Sequence, residues 1–357
     1  MSHLHLKGLN TYRAIGALTV IIGHIELFKF KNGLDNGLNL PFFKNTGGHI
    51  GVILFFALSG FLITLLLLRE KDAYNTISLK KFYLRRIFRV WPLYYIIIFL
   101  SYFLTDYSPS QSTLLLCLTI FPNIAHAFDI GWAASPHIWS IGVEEQFYLG
   151  WPHLIKRVNR LLLFLIAFFI GYTLLPYILP HLLSRLNVDV GTRTSISAIF
   201  YGTKFNCMAA GGIFAVLYHK KYKIVKYLNH NIYIAYAFIL LPFILWLTGI
   251  HTPILNDELF SILFAISILN ISTNPKVVNI DLKIPNYLGK ISYGIYMYHW
   301  IILDRLFKTN ILKTNNSISS NVILYGTTLS LTFLVAGASY QFIERPLLNW
   351  KEKFSRV

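Results

Sequence analysis

The chain has 357 residues, of which 55% are hydrophobic and only 13% are charged. Soluble domains carry about 25% charged residues, so this composition excludes an ordinary soluble domain and predicts a protein embedded in lipid. The formal net charge of +17 first indicates topology, because Lys and Arg gather in cytoplasmic loops; we expect no nucleic-acid partner. Cys117 and Cys207 lie in apolar contexts and indicate neither a disulfide framework nor a metal site.

Apolar runs along the chain predict the membrane spans. Basic loops after the second, fourth and sixth runs, and the basic residues Lys351, Lys353 and Arg356, mark the cytoplasmic side. Parity then requires one crossing between Ser112 and Leu154, which we assign to Trp139–Leu154, with Leu114–Pro122 as a half-helix or interfacial piece. The other runs begin near Leu9, Gly51, Val90, Leu161, Ser195, Ile232, Leu259, Tyr287 and Val322.

The predicted fold is an all-α polytopic membrane protein with about ten transmembrane helices and both termini in the cytoplasm. We expect a single transmembrane domain over residues 1–357. No cleavable signal peptide is expected, because the first apolar segment is too long for an h-region.

The first apolar helix, Leu9–Phe28, holds Arg13 and His24. Eleven residues are three helical turns plus about 20°, so both side chains point the same way, roughly 16 Å apart along the axis. Ionisable residues inside a membrane helix mark a functional site by default. The alternative is that Arg13 extends to the headgroups and His24 makes one packing hydrogen bond.

Two further clusters follow in the next spans. Glycines in the segment from Gly47 to Val52 indicate close helix packing. Arg85, Arg86 and Arg89 stand at the cytoplasmic mouth of the third span, where guanidinium groups suit phosphate binding. The alternative is simple positive-inside anchoring.

Two carboxylates and a second histidine complete the candidate set. Glu144 and Glu145 are adjacent in an apolar crossing, point about 100° apart and need different partners. Each is a candidate for catalysis or for a structural ion pair. His299 lies on a helix rich in Tyr, and Glu344 with Arg345 is interpreted as a structural pair.

In this order, the clusters resemble the acyltransferase-3 family of bacterial membrane O-acyltransferases. The resemblance covers nearly the whole chain, and we expect no appended hydrolase-like domain. The motifs that carry it are Arg13 with His24, Gly51–Ile63, Arg85–Tyr94, Trp139–Tyr148, Ser292–Trp300 and Glu344–Pro346.

The resemblance implies a ten-helix enzyme of the bacterial inner membrane. Such an enzyme takes an acyl group, usually acetyl, from cytoplasmic acetyl-CoA and passes it to a sugar hydroxyl at the outer face, without a metal. The acceptor would be a carbohydrate or lipid-linked glycan, with lipopolysaccharide O-antigen or another surface polysaccharide expected by analogy. A proton-coupled transporter or flippase of a polar sugar is the competing function.

The resemblance also distributes roles among the candidate residues. His24 is the expected general base or acyl relay, with Arg13 required beside it, and Glu144 or Glu145 orients the imidazole or balances its charge. The remaining expected contacts are Arg85, Arg86 and Arg89 with the CoA, and Tyr148, Tyr298 and His299 with the substrate.

Overall fold

The computed structural model describes residues 6–43, 48–252, 254–309 and 318–352. This part of the chain is helical and contains no β-strand, as predicted. Gly47, Lys353 and Arg356, on which parts of the sequence interpretation depend, lie outside it. The first half contains α1 (Leu9–Lys31), α2 (His49–Tyr74), α3 (Leu79–Leu104), α4 (Gln111–Leu118), α5 (Pro122–Ala127), α6 (Trp139–Arg157), α7 (Leu161–Arg185) and α8 (Val190–Thr203).

The second half ends in a helix that contains one π-helical turn, Tyr340–Glu344, between α15 and α16. Its helices are α9 (Phe205–His219), α10 (Lys223–His230), α11 (Ile232–Leu247), α12 (Asn256–Thr273), α13 (Lys283–Lys290), α14 (Ser292–Lys308), α15 (Ile318–Ser339) and α16 (Arg345–Glu352).

Membrane-spanning potential is clear for four helical segments among the described residues. They are α2, α3, α7 and the continuous stretch Ile318–Trp350; α10 and α11, bent by 93°, make a fifth if they form one span. The protein is therefore a multi-pass membrane protein. The count of about ten spans and the cytoplasmic position of both termini stay predictions.

The region with two short apolar segments is helical, but Leu114–Pro122 is broken between α4 and α5, and the crossing by Trp139–Leu154 stays a prediction because α6 is not among the four segments with clear spanning potential. A single helix, α6, covers the whole of Trp139–Leu154. The shorter segment forms the eight-residue α4, too short to cross a bilayer. A 3₁₀ turn at Pro136–Ile138 leads into α6.

The run that begins near Ser195 differs from a single span. It breaks between α8 and α9 at Lys204, whose φ of 46° no regular helix adopts. The Lys204 side chain is 4% exposed, and its ammonium nitrogen lies 2.8 Å from the Asp257 carboxylate of α12. A buried charge must be paired, and turning the backbone at Lys204 accompanies this pairing.

Helix α2 forms the centre of the bundle. Of its most apolar 18-residue window, 78% is buried, against 11% for α7 on the periphery. Small residues allow neighbours to approach it closely: a Cβ at Gly60 would lie 1.8 Å from the Met208 carbonyl oxygen of α9. The predicted close packing at the glycines before Val52 holds for Gly51, where a Cβ would lie 2.7 Å from the carbonyl oxygen of Gly16.

Basic segments gather at one end of the bundle, which we call the basic end. There Lys71 of α2 donates to the carbonyls of Ile155 and Lys156 at the end of α6, and His219 of α9 lies 2.7 Å from Asp72. This is the side that charge predicts to be cytoplasmic.

The opposite end carries a separate surface pair. Lys308, at the end of α14, donates to Asp106, just past α3, at 2.7 Å. This hydrogen bond and the positive charge of Lys308 lower the pKa of the Asp106 carboxyl. Because α3 starts near the basic end and Asp106 lies just past its other end, the Lys308–Asp106 pair marks the end of the bundle opposite the basic end.

Candidate active site

A cavity of about 220 Å³ lies inside the bundle between α1, α2, α3, α6 and α14. Along α2 its lining runs from Val52 to Leu66, which is about 21 Å of helix at 1.5 Å per residue. The cavity is therefore elongated along the bundle axis. Its polar lining consists of Arg13, Ser59, Arg86, Arg89, Ser140, Glu144, Tyr148, Ser292, Tyr293 and Tyr296.

Three arginines converge on this cavity from two helices, Arg13 from α1 and Arg86 and Arg89 from α3. Their mutual repulsion opposes this arrangement. The Arg86 Nε is buried and has no hydrogen-bond partner among the described residues. An anion that entered the cavity would relieve both penalties.

The third arginine of the α3 mouth, Arg85, lies elsewhere. Its guanidinium contacts Glu70 of α2 at 3.1 Å, and Glu70 also accepts from the Ser78 backbone amide at 2.8 Å. Arg85 does not line the cavity. The set of three arginines expected to bind CoA is therefore divided, because Arg85 and Arg86 are adjacent on a helix and point about 100° apart.

The two glutamates also separate. Glu144 lines the cavity, where it accepts from Ser59 and from the Tyr148 hydroxyl at 2.6 Å. Glu145 turns away and accepts from the Trp91 indole at 2.9 Å. Neither carboxylate is a hydrogen-bond partner of His24.

The partner of His24 is a second histidine, His299 of α14. His24 Nδ1 and His299 Nε2 lie 2.7 Å apart, and the two rings are nearly parallel with centroids 5.0 Å apart. A third imidazole, His137, stands edge-to-face on His299 at 4.9 Å. Trp300 packs against His24 at 4.9 Å and donates its indole N–H to the Ala133 carbonyl.

Hydrogen bonding assigns the tautomers of the neutral pair. His299 Nδ1 lies 2.6 Å from the Tyr296 carbonyl oxygen, which can only accept, so the proton is on His299 Nδ1. His299 Nε2 then accepts from His24 Nδ1–H. This leaves the lone pair of His24 on Nε2, on a half-buried side chain without a further partner among the described residues.

Tyr296 connects the histidines to the cavity. It lines the cavity, its hydroxyl lies 2.6 Å from the Ser140 Oγ, and its carbonyl accepts from His299. The His24–His299 pair therefore lies directly behind one cavity wall. His299 itself is 0% exposed and does not line the cavity.

The expected substrate contacts are placed in different surroundings. Tyr148 lines the cavity, whereas Tyr298 donates to Ser339 at 3.2 Å and does not line it. Sequence interpretation missed His137 and Tyr296. His137 follows Pro136 next to an apolar helix, and an intramembrane histidine is a signal that could have found it.

No group of three or more His, Cys, Asp or Glu side chains in the described ranges is placed to hold a metal ion. The hydrogen bonds of His24, His137 and His299 show why these three histidines do not form a metal site. Two of its nitrogens share one hydrogen bond and two others donate to the backbone carbonyls of Tyr296 and Met297, so they do not converge on one point.

Fold and site together define a multi-pass helical membrane protein with a basic cavity beside a histidine pair. Residues 6–339 match the Acyl_transf_3 family model, described as an acyltransferase domain. The chain therefore belongs to this family, which confirms the resemblance found in its motifs. No solved structure matches the chain.

Two curated relatives illustrate the similarity. The "Putative O-acetyltransferase SAR0937" of Staphylococcus aureus is 27% identical, over 98% of this chain and 59% of its own length. The "Peptidoglycan O-acetyltransferase OatA" of Listeria monocytogenes is 28% identical, over 97% of this chain and 56% of its own. The chain thus spans little more than half the length of these relatives. Lipopolysaccharide O-antigen, expected by analogy, finds no support in these names.

Proposed function

We propose that the protein transfers an acetyl group from acetyl-CoA to a sugar hydroxyl of a cell-wall polysaccharide. The observation that carries this proposal is the convergence of Arg13, Arg86 and Arg89 on a cavity whose wall, at Tyr296, is backed by the His24–His299 pair. The name of one relative specifies peptidoglycan, which favours peptidoglycan as the acceptor.

The donor fits the basic part of the cavity. CoA is a phosphorylated nucleotide on a long thin arm, and guanidinium groups bind phosphate oxygens bidentately. Arg86 and Arg89 lie about two to three turns into α3 from its start at Leu79, at the end that the charge pattern predicts to be cytoplasmic. The arm would follow the α2 wall past Arg13, and the thioester would reach the layer of Tyr296.

The reaction needs one base, and His24 provides it. His24 Nε2 takes the proton of the acceptor hydroxyl while the hydroxyl oxygen forms a bond to the thioester carbonyl carbon. The carbon–sulfur bond then breaks, and the CoA sulfur leaves with the proton that His24 returns. His299 accepts from His24 Nδ1–H and so keeps the lone pair of His24 on Nε2, as the orienting partner of a catalytic base does.

Glu144 has a role consistent with this chemistry. Glu144, held by Ser59 and Tyr148, offsets part of the positive charge of the arginines rather than orienting the imidazole. The position of His24, about 16 Å beyond Arg13 along α1, supports transfer at the outer face of the cytoplasmic membrane in the predicted topology.

The test is transfer of radiolabel from acetyl-CoA into glycan in membranes that contain the native chain or His24→Ala at matched expression. We expect label in the glycan with the native chain and its loss in the variant. Label that persists in the variant would remove His24 from the mechanism.

The same assay separates two alternatives. Without acceptor, label that stays bound to the protein at His24 would indicate a covalent acyl-histidine relay. Proton-coupled uptake of sugar by a native chain that transfers no label would contradict the enzyme and support a transporter.

A further inference from the structure

His49, at the start of α2, extends the cavity-lining face of that helix. The lining residues Val52, Phe56, Ser59 and Ile63 repeat every three or four positions, and His49 precedes Val52 by three. Positions at this spacing share one face of a helix. His49 therefore stands one turn beyond the cavity, at the end opposite the basic arginines.

Buried charges hold the His49 ring in place. His49 Nε2 lies 3.0 Å from Asp257 Oδ2, and Lys204 contacts the same oxygen at 2.8 Å. The carboxylate accepts, so the His49 proton is on Nε2 in the neutral ring and Nδ1 is a free acceptor. The side chain is 35% exposed, and Nδ1 has no partner within the described segments.

Flat rings flank this acceptor. Trp139, at the start of α6, is nearly parallel to His49 at 6.3 Å and to His126 at 5.8 Å. Phe56, which lines the cavity, meets Trp139 edge-to-face at 6.2 Å. Aromatic surface with a few fixed polar groups is the usual composition of a small-molecule subsite, and for a sugar it supplies both ring contact and a partner for a hydroxyl proton.

His49 and the proposed base, His24, lie at similar levels along the bundle axis. A Cβ at the neighbouring Gly48 would come within 2.9 Å of the Val20 Cα, and His24 is four residues beyond Val20, about 6 Å along α1. A group bound at His49 would thus lie near the level of His24 along the bundle axis, away from the basic end.

We propose that His49, held by Asp257, binds a hydroxyl of the acceptor sugar, with Trp139 as the adjoining ring surface. This inference rests on the proposed acetyl transfer and assigns its acceptor subsite. His49 Nδ1 accepts a hydrogen bond from a sugar hydroxyl next to the one that is acetylated. The donor arrives from the arginines and the acceptor from the opposite end.

The test compares the native protein with His49→Gln, whose amide nitrogen keeps a donor for Asp257, while its acceptor oxygen, bound to the same carbon, does not reproduce the position of Nδ1. Acetyl transfer is measured against the concentration of glycan fragments released from purified peptidoglycan. Acetyl-CoA binding and glycan-fragment binding are each measured alone. We expect the acceptor KM and the glycan Kd to rise about three- to tenfold, the effect of one neutral hydrogen bond, with an acetyl-CoA Kd within twofold of native.

Two further variants make the test specific. His219→Gln is the matched control, because His219 is also bonded to a carboxylate, Asp72, but lies at the basic end; it should leave both glycan constants unchanged. Trp139→Leu should raise the acceptor KM without touching the Asp257 bond, and serves if His49→Gln does not fold.

An unchanged glycan Kd in His49→Gln and Trp139→Leu would overturn the assignment, as would a rise confined to the acetyl-CoA Kd. A native protein that neither binds acetyl-CoA nor transfers acetyl would contradict the proposed function instead. In that case direct glycan binding still decides the role of His49.

Discussion

At the residue scale, the sharpest expectation concerns His299, which accepts the Nδ1 proton of His24 and does not line the cavity. His299→Leu removes that acceptor and frees the tautomer of His24. Because a wrong tautomer disables a catalytic histidine, we expect kcat to fall about 100-fold or more while the acetyl-CoA Kd stays near native. Steady-state kinetics and equilibrium binding measure the two quantities.

His299→Gln separates positioning from packing. A glutamine oxygen can take the place of His299 Nε2 as the acceptor for His24, so this variant should recover part of kcat relative to His299→Leu. Equal loss in both variants, with matched thermal stability, would show that the hydrogen bond to His24 does not matter.

Arg85 and Arg86 are adjacent, and we expect opposite phenotypes. Arg86→Ala removes a cavity guanidinium and should raise the acetyl-CoA Kd about 10- to 100-fold, the worth of a charged hydrogen bond. Arg85→Ala leaves the buried Glu70 carboxylate without its charged partner, so it should lower thermal stability and leave the Kd of correctly folded protein near native. Donor binding and thermal unfolding in detergent distinguish them, and a reversed pattern would place Arg85 on the donor.

Sequence identified the residue types of this site better than their partners. Arg13, His24 and Glu144 stand out because ionisable groups are expensive in an apolar helix, and the structure places Arg13 and Glu144 on one cavity. The choice between Arg85 and Arg86 depends on which side of α3 meets α2. The contact between His24 and His299 joins positions 275 residues apart, which no local pattern encodes.

At the element scale, the close contact of α2 with α9 predicts how much a substitution at Gly60 lowers stability. Gly60→Ala would place a methyl group 1.8 Å from the Met208 carbonyl oxygen, and overpacking costs about 1–3 kcal/mol. We expect a lower unfolding temperature. Gly171→Ala on α7 is the control, since nothing lies within 4 Å of its Cβ, and it should leave stability unchanged or slightly raised. Equal behaviour of the two variants would contradict the close α2–α9 approach.

Helix identity was predictable because hydropathy reports long apolar runs directly. The break at Lys204 was not, because it depends on a partner, Asp257, that lies 53 positions further along the chain. The short α13 before α14 was likewise absorbed into one predicted span near Tyr287. The break at Lys204 depends on a tertiary contact, which the hydropathy of the local sequence does not report.

At the scale of the whole molecule, the predicted topology puts Asp106 outside the cell and Asp72 in the cytoplasm. Both carboxylates are exposed and each has one surface partner, Lys308 and His219 respectively, so Asp106→Cys and Asp72→Cys are a matched pair. Cys117 and Cys207 are buried and should contribute little background. A membrane-impermeant maleimide on intact cells should label Asp106→Cys alone, and both after permeabilisation. Labelling of Asp72→Cys in intact cells would show the opposite orientation in the membrane. The arginines could then no longer meet cytoplasmic acetyl-CoA.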